Sequence, residues 1–292
     1  MTATELMSKI EERRSEAAGF DIRYFVAGQD GPPVVLLHGG GIDSALLSWR
    51  EAIAPLAASY RVWAPDWPGY GGSPLPADGQ VTQSVLLRCL MALLDAWELD
   101  RAALVGLSMG GGAALGAALE HPERVSRLAL VGSYGLQDKM PLHALSVLIV
   151  RMGFLNQTSW TWVRSSRSAV RWALSSIMKN PAALTDALVD EMADLIRSTS
   201  TERAWTSFQA DEAQWQGTRT CYMARLGEVR CPTLIVHGSQ DSLAPLRYAQ
   251  QAAERIPGAQ LHVIEGCGHW VPRDWPEEFN RTLIEFLRET DS

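Results

Sequence analysis

The sequence is poor in cysteine, and its four cysteines are not spaced as metal ligands or as a redox pair. Cys89, Cys221, Cys231 and Cys267 include no C-x-x-C pair and no Cys–His spacing typical of zinc sites. The pattern therefore argues against a disulfide scaffold and a zinc module, and four reduced, mostly buried thiols are predicted. We expect no metal and no organic cofactor.

The sequence also lacks excess positive charge and long apolar runs. Its net charge of -7 provides no basic field for phosphates, so no nucleic-acid partner is expected. The most apolar run, 144–155, is too short for a bilayer and is interrupted by Arg151. Residues 1–14 alternate charged and apolar side chains, which predicts no signal peptide. A cytoplasmic protein without membrane contact is expected.

Strand and helix patterns alternate along most of the chain, which predicts an α/β fold. The hydrophobic content of 47% is ordinary for a globular protein. Short apolar runs predict strands at 20–27, 34–38, 61–64, 102–106, 127–132, 233–237 and 260–264. Amphipathic stretches predict helices at 48–58, 83–97, 110–120, 246–255 and 277–288. Several strands lack polar alternation, as expected for a mostly parallel sheet covered by helices on both faces.

The alternation stops between residues 134 and 228. This stretch has helical spacing and contains five tryptophans: Trp160, Trp162, Trp172, Trp205 and Trp215. We predict a core formed by 1–133 and 229–292, with 134–228 inserted as a helical cap, or lid, over the carboxyl ends of the strands. Ligands bind at that edge of an open parallel sheet. Most of the tryptophans are expected to pack the cap, and one or two to line a pocket.

The strongest chemical signal is Gly106-Leu107-Ser108-Met109-Gly110, which lies between a predicted strand and a predicted helix. Such a turn forces its central residue into a strained conformation, and the flanking glycines remove side chains that would collide. The serine hydroxyl is then exposed at a helix N-terminus, where developing negative charge is favoured. The pattern predicts that Ser108 is a nucleophile on a nucleophile elbow.

A serine nucleophile needs a base, and His269 is the best placed of six histidines. It lies in a glycine-rich loop after the last predicted strand, where the order serine, acid, histidine would place the base. Structural roles are predicted for His38, His121, His237 and His262. His143, in the predicted cap, stays open as an alternative base.

The base in turn needs a carboxylate to orient it and to stabilise its protonated form. Asp241 follows the strand 233–237 and precedes the histidine loop, so it is the predicted third member of a catalytic triad. Asp66 is the competing acid. It ends an earlier strand, and we interpret it as a residue that organises the turn there.

An oxyanion formed on attack needs fixed N–H donors. The backbone N–H of Met109 is the first predicted donor. The second is expected from the glycines after strand 34–38, with Gly40 favoured and Gly41 next. No Lys or Thr follows these glycines at P-loop spacing and G-x-G-x-x-G is absent, so phosphate binding is disfavoured.

Taken together, these motifs resemble the α/β-hydrolase superfamily, and within it the meta-cleavage product hydrolases. The segments that carry the resemblance are 36–41, 108–112, 259–263, 266–270, 278–280 and 284–287. Members of that branch ketonise a ring-opened aromatic dienoic acid and hydrolyse a carbon–carbon bond. The resemblance implies that Trp270 and a cap arginine hold the substrate. Arg171 is the nearest match, with Arg164 and Arg167 as competitors.

The sequence departs from the branch at two positions that border the expected substrate pocket. Leu107 stands where the branch usually has Asn, and Ile42-Asp43 stands where it has Pro-Gly. Leu107 and Ile42 are therefore predicted to contact the substrate. A carboxylesterase or lactonase on a small apolar substrate, an acyltransferase, and a non-catalytic ligand receptor on the same fold remain alternatives. A small molecule is the expected partner, and a homo-oligomer is left open.

Overall fold

A computed structural model of the chain describes residues 10–198 and 201–289. The prediction for segment 1–14 falls mainly on residues 1–9, which lie outside the described residues. The strands are β1 (Glu11–Ala17), β2 (Phe20–Ala27), β3 (Pro33–Leu37), β4 (Arg61–Pro65), β5 (Ala102–Leu107), β6 (Val125–Val131), β7 (Ala213–Gln214), β8 (Gly217–Thr218), β9 (Thr233–Gly238) and β10 (Gln260–Ile264).

Eight of these strands form one sheet in the order β1-β2-β4-β3-β5-β6-β9-β10. The strands from β4 to β10 in this order run parallel, while β1 and β2 are antiparallel to their neighbours. All seven predicted strands are present. The sequence pattern does not predict β1, because this edge strand is largely exposed and charged and is held mainly by its backbone pairing with β2.

Helices cover both faces of the sheet, as the sequence predicts. The helices of the core are α1 (Ala45–Leu56), α2 (Gln83–Ala96), α3 (Met109–Glu120), α9 (Leu246–Arg255), α10 (Val271–Asp274) and α11 (Pro276–Arg288). Alternate residues of each parallel strand enter one of two hydrophobic clusters: Val35 and Leu37 pack with α2, α3 and α9, whereas Val34 and Leu36 pack with α1 and α11. The strands are apolar on both faces for this reason.

The segment 134–228 between β6 and β9, which we call the insertion, contains five helices in its described residues, 134–198 and 201–228. They are α4 (His143–Arg151), α5 (Gly153–Ser165), α6 (Arg167–Ile177), α7 (Asp186–Ser198) and α8 (Thr201–Glu212). The short ribbon β7–β8 follows them, which the sequence analysis did not predict. Apolar residues of α6 and α7 join the cluster of α1 and α11, and those of α8 join the other cluster.

Close backbone contacts bring the loops at the carboxyl edge of the sheet together. A Cβ added to Gly110 would lie 2.3 Å from the carbonyl oxygen of Leu37 and 2.5 Å from that of His38. The start of α3 therefore packs directly on the end of β3, which only glycine allows. As a result, the glycine loop after β3 lies beside Ser108. Within the described ranges, no helix has the length and apolar character needed to cross a membrane.

Candidate active site

Ser108 occupies a strained turn between β5 and α3. Its backbone has φ +49° and ψ −116°, a conformation that side chains other than glycine rarely adopt. Three hydrogen bonds hold it there: its N–H donates to Val131 O at 2.9 Å, and its carbonyl accepts from the N–H groups of Tyr134 at 2.9 Å and Gly112 at 3.1 Å. The side chain is half-buried. The sharp strand-to-helix turn that the sequence predicts is therefore present.

The glycines around Ser108 are required by packing. A Cβ on Gly106 would lie 2.4 Å from the carbonyl oxygen of Gly110, and one on Gly111 would lie 2.4 Å from Ser133 Oγ. Real Cβ atoms do not approach that closely, so larger residues would open the turn. The G-x-S-x-G pattern is explained by these contacts.

His269 and Asp241 lie together at the same edge of the sheet. His269 Nδ1 is 2.7 Å from Asp241 Oδ2, and the carboxylate is inaccessible to solvent while the imidazole is 11% exposed. The other carboxylate oxygen, Oδ1, accepts the backbone N–H groups of Leu243 and Ala244 at 2.8 and 2.9 Å. Asp241 is thus fixed by its own turn. It contacts the imidazole through Nδ1, which leaves the other ring nitrogen, Nε2, outside this hydrogen bond.

The electrostatics of this pair favour an ionised carboxylate. Burial opposes ionisation of Asp241, but the charge and hydrogen bond of His269 outweigh it, so the pKa of the carboxyl lies below its usual value. His237 Nε2 is a second neighbour, 3.5 Å from Asp241 Oδ2. It also bonds to Ala244 O at 2.7 Å, and burial lowers the pKa of His237, which favours a neutral, structural imidazole.

The competing acid, Asp66, has other partners. Its buried carboxylate accepts Arg23 Nε at 2.6 Å and the backbone N–H groups of Ala45 and Gly72 at 2.8 and 2.9 Å. These bonds close the turn after β4, as the sequence analysis interprets it.

Two further histidines, His38 and His143, form hydrogen bonds that account for them as structural rather than catalytic residues. His38 Nε2 accepts the backbone N–H of Trp67 at 2.9 Å, so the proton lies on Nδ1, which donates to Gly39 O at 2.8 Å. His143 Nδ1 accepts the N–H of Met140 at 3.2 Å, and Nε2 donates to Gln214 O at 2.9 Å. His143 therefore braces the insertion.

The predicted oxyanion donors lie close to Ser108. Met109 is the first residue of α3, where a backbone N–H has no acceptor within the helix. A Cβ added to Gly39 would lie 3.5 Å from Ser108 Cβ, so the glycine loop borders the nucleophile. Gly40 lies under the ring of Trp205, whose Cζ3 would be 2.3 Å from a Cβ at that position. Gly41 has φ +75° and open space at its Cα.

The insertion is bonded directly to the histidine loop. The carbonyl of Ile177, the last residue of α6, accepts the N–H of His269 at 2.8 Å. The buried carboxylate of Asp274 accepts the N–H groups of Lys179 and Asn180 from the insertion and of Gly268 from the loop, at 2.7 to 3.0 Å. Movement of the insertion would therefore displace the backbone of the base.

The site offers no obvious place for a metal ion. Across residues 10–198 and 201–289, no three His, Cys, Asp or Glu side chains are grouped to hold one. All four cysteines are free. Cys267, two residues from His269, is fully buried, and burial raises the pKa of its thiol.

Comparisons with known proteins agree with this geometry. Residues 32–273 match the sequence profile of the α/β hydrolase fold. The chain is 34% identical to 2-hydroxymuconate semialdehyde hydrolase of Pseudomonas sp. (strain CF600), over 90% of this chain and 89% of that protein. It is 32% identical to 2-hydroxy-6-oxo-6-phenylhexa-2,4-dienoate hydrolase of Comamonas testosteroni, over 98% and 97%.

A solved structure gives the same result. The meta-cleavage product hydrolase of Pseudomonas fluorescens IP01 superposes with a TM-score of 0.83 at 29% identity, and the match covers 97% of this chain and all of that one. The chain belongs to the α/β-hydrolase family, in the meta-cleavage product hydrolase branch. The predicted family, fold and enzyme class of this hydrolase are confirmed.

The arginines predicted to hold a substrate already have acidic partners. Arg171 forms an ion pair with Asp186, and its side chain is 40% exposed. Arg167 pairs with Asp186 and Asp190 at 2.9 and 2.6 Å. Arg164 pairs with Glu202 at 2.9 Å. A substrate carboxylate would have to displace one of these partners, so the role given to Arg171 stays a prediction.

The remaining predicted substrate contacts differ in their surroundings. Trp270 is buried, and its indole N–H donates to Ser48 Oγ at 2.8 Å, so its polar atom is already engaged. Leu107 is buried and Ile42 is half-buried, both in or against the cluster that includes α6 and α7. All three stay predictions as substrate-binding residues.

The tryptophans of the insertion differ in their exposure. Trp162, Trp172 and Trp215 are 49%, 64% and 56% exposed, but Trp162 contacts Trp172 edge to face and Arg151 lies over the Trp215 ring. The expectation that most of the five pack the insertion therefore stays a prediction. Trp162 lies on α5 and Trp172 on α6, whereas Trp215 lies in the turn between β7 and β8. Trp205 is the one that borders the glycine loop.

Two buried carboxylates near the site were given no role from the sequence. In the sequence, Asp43 marks only a departure from the branch, and no role is predicted for Asp274. Asp43 follows Gly39 by four positions and accepts the Gly39 N–H. Asp274 follows Gly268 by six positions and accepts the Gly268 N–H. An aspartate at this spacing after a glycine turn is the available signal, but it is common in surface turns.

Proposed function

We propose that this hydrolase is a cofactor-independent enzyme with a Ser108–His269–Asp241 triad. The 2.7 Å bond between His269 and Asp241 at the edge where Ser108 is held in its strained turn is the observation that carries the proposal. In this assignment His269 removes the hydroxyl proton of Ser108, which attacks a carbonyl. Asp241 keeps the imidazole in the right tautomer and stabilises the imidazolium.

The oxyanion of the intermediate is assigned to the N–H groups of Met109 and Gly40, with Gly41 as the alternative to Gly40. Such donors each contribute a few kcal/mol to lowering the barrier because they are fixed before the reaction begins. His269 then protonates the leaving group. Water activated by the same histidine releases the acid and restores Ser108.

A ring-opened aromatic dienoic acid is the first candidate substrate. Its support is that two relatives, matched over 89% and 97% of their own length, are hydrolases of such compounds by name. Carbon–carbon cleavage makes the leaving group a carbanion equivalent, so the dienol must first be ketonised. Proton transfer by His269 would serve this step, and attack by Ser108 or by water would then cleave the bond.

A small neutral ester or lactone is the second candidate. The observation that favours it is the pairing of Arg164, Arg167 and Arg171 with acidic side chains. A dienoate carboxylate buried under the insertion would need a cation. An uncharged substrate would need none, and it would suit the apolar Leu107.

We also propose that residues 134–228 act as a cap over a core of 1–133 and 229–292. Trp205 above Gly40 and the bonds of Ile177 to the histidine loop support this organisation. A cytoplasmic location is proposed on the sequence features alone.

Two measurements test the proposal. An alkyl fluorophosphonate should label the wild type at Ser108, as mass spectrometry of the labelled peptide would show, and Ser108→Ala should not react. A non-catalytic receptor would give neither labelling nor turnover. The second measurement compares kcat/KM on a dienoate, a small lactone and a neutral aryl ester. Turnover of the dienoate at least about 100-fold above the ester would establish carbon–carbon cleavage, and the reverse would establish the second candidate.

A further inference from the structure

Asp43 lies directly behind the glycine loop and has not been used by the mechanism. We propose that Asp43 is a positioning residue that fixes the oxyanion hole, and that Ser48 and Trp270 tie it to the loop of the catalytic base. The inference rests on the proposed function, because it assumes that Gly40 holds an oxyanion.

The carboxylate of Asp43 bonds to the loop itself. Oδ2 accepts the N–H of Gly39 at 2.8 Å, and Oδ1 accepts the N–H of Ser44 at 2.7 Å. A Cβ on Gly39 would lie 3.1 Å from Asp43 Oδ2 and 3.5 Å from Ser108 Cβ. The Gly39 backbone is therefore held between the carboxylate and the nucleophile. The next peptide carries both the Gly39 carbonyl, which accepts from His38 Nδ1 at 2.8 Å, and the Gly40 N–H. Asp43 and His38, which bond to the two sides of Gly39, therefore set the direction of the Gly40 N–H together.

A buried chain of hydrogen bonds continues from Asp43 to the histidine loop. The indole N–H of Trp270 can only donate, and it donates to Ser48 Oγ at 2.8 Å. The single hydroxyl proton of Ser48 then goes to Asp43, whose two oxygens are both 2.8 Å from Ser48 Oγ. All three side chains are buried. Because Trp270 directly follows His269, this series of hydrogen bonds connects the loop of the base to the glycine loop.

The role requires a carboxylate. Each oxygen of Asp43 receives a backbone N–H and can receive the Ser48 hydroxyl, so both must be acceptors. An asparagine has nearly the same shape, but its NH₂ group would meet one of these N–H donors. The neighbouring His38 is neutral in its bonding pattern and does not supply a balancing cation. Burial raises the pKa of the Asp43 carboxyl, whereas its hydrogen bonds with Ser48, Ser44 and Gly39 act in the opposite direction. The N-terminus of α1, which begins at Ala45, also favours negative charge at Asp43.

Asp66 provides a matched control for a merely structural role. It is also a buried carboxylate, and it also bonds to the start of α1, through the N–H of Ala45 at 2.8 Å. Within the described residues its carboxylate bonds to Arg23, Ala45 and Gly72, and none of these belongs to the glycine loop. Loss of stability at α1 would appear in both variants, whereas loss of oxyanion binding would appear in one.

The experiment compares an aryl ester with its thionoester, whose sulfur is a weak hydrogen-bond acceptor. For Asp43→Asn, kcat on the oxoester should fall about 100-fold, as expected when one oxyanion donor is misplaced. KM should change less than about threefold, and kcat on the thionoester less than about fivefold. Asp66→Asn should leave the ratio of the two rates as in the wild type. A ratio within about twofold of wild type for Asp43→Asn would overturn the proposal.

Ser48 supplies a second test in case Asp43→Asn does not fold. Ser48→Ala should lower the oxoester-to-thionoester ratio about tenfold, and Ser48→Thr, which keeps the hydroxyl, should restore it. Equal losses on both substrates, or no rescue by threonine, would contradict the proposed link. Fluorophosphonate labelling of the wild type separates the two levels. Labelled wild type with unchanged ratios overturns only this inference, whereas unlabelled wild type overturns the proposed function and this inference with it.

Discussion

The buried carboxylates of the core and the exposed carboxylates of the insertion have different partners. In the core, Asp241, Asp43 and Asp274 each accept backbone N–H groups from loops around Ser108. In the insertion, Asp186 and Asp190 pair with arginine side chains that are 40–50% exposed. A bond to the backbone fixes the path of a loop, whereas an exposed ion pair can be remade with another partner at little cost.

The difference indicates how the two regions divide their tasks. The loops around Ser108 must keep reacting atoms within a few tenths of an ångström, so their bonds are buried and local to the backbone. In the proposed role as a cap, the insertion would suit a particular substrate, and its exposed side chains can change without opening the sheet. Four substitutions, ordered from the largest expected effect to the smallest, can break or sharpen this comparison.

Ser108→Ala should have the largest effect. Without the hydroxyl no acyl-enzyme can form, so kcat on a neutral ester should fall by about 10⁴-fold or more while the fold is retained. Steady-state kinetics gives the rate, and circular dichroism with a melting curve checks the fold. A variant that kept more than a few per cent of the wild-type kcat would contradict the assignment of the nucleophile.

Asp241→Asn should lower kcat by about 10³- to 10⁴-fold, because His269 loses the partner that sets its tautomer. Asp66→Asn is the matched control and should lower thermal stability more than kcat, since Arg23 then loses its bond to a buried carboxylate and keeps Glu12 at 3.7 Å. Kinetics and melting curves of both variants give the comparison. An active Asp241→Asn variant beside an inactive Asp66→Asn variant would reverse the assignment of the acid.

The pH dependence of unfolding adds a second measurement on Asp241→Asn. Because the pKa of Asp241 in the fold lies below its usual value, its ionised form contributes stability at neutral pH. That contribution should be complete above about pH 4, near the ordinary pKa of Asp, and should be lost as the pH falls through the lower folded-state pKa. The stability difference between wild type and variant should therefore shrink in acid. A difference that grew in acid would have the wrong sign.

Asp274→Asn tests the bond between the two regions. The variant leaves at least one of the N–H groups of Lys179, Asn180 and Gly268 poorly satisfied, so the free energy of unfolding should fall by about 2–4 kcal/mol. Urea unfolding measures this. Asp194→Asn, which removes an exposed carboxylate from an ion pair with Arg197, is the control and should unfold like the wild type. Equal free energies of unfolding for the two variants would show that burial of the carboxylate makes no difference to its contribution.

Arg171→Ala should have the smallest effect. Its ion pair with Asp186 is exposed, so kcat/KM on a neutral ester and on a dienoate should both change less than about threefold. The two substrates are measured with the same preparation. A loss of tenfold or more on the dienoate alone would show that Arg171 leaves Asp186 to bind a substrate carboxylate, and the insertion would then take part in the chemistry.

Much of the fold could be predicted because the strands are apolar on both faces and the helices repeat with their own period. Strand β1 is the exception. Its exposed charged side chains resemble those of a loop, and only pairing with the backbone of β2 makes it a strand. The ribbon β7–β8 has two residues in each strand, which is too short to produce a periodic pattern.

The candidate triad was predictable for a different reason. Glycine is required wherever backbones come within contact distance, so Gly106 and Gly110 mark Ser108 in the sequence. The order of strands then places Asp241 and His269 at the same edge. These local requirements leave a direct trace in the residue types.

The partners of charged side chains left no such trace. Arg171 resembles a substrate-binding arginine in the sequence, but whether it binds a substrate or Asp186 depends on how α6 and α7 pack. Asp43 and Asp274 resemble turn residues, and their importance arises from backbone N–H groups up to 95 positions away. The sequence by itself determined the seven predicted strands, the elbow and the three residues proposed for the triad, because backbone sterics are local. Only the tertiary structure decided which carboxylates are buried and what they bind, because hydrogen-bond partners are set by distances between segments far apart in the chain.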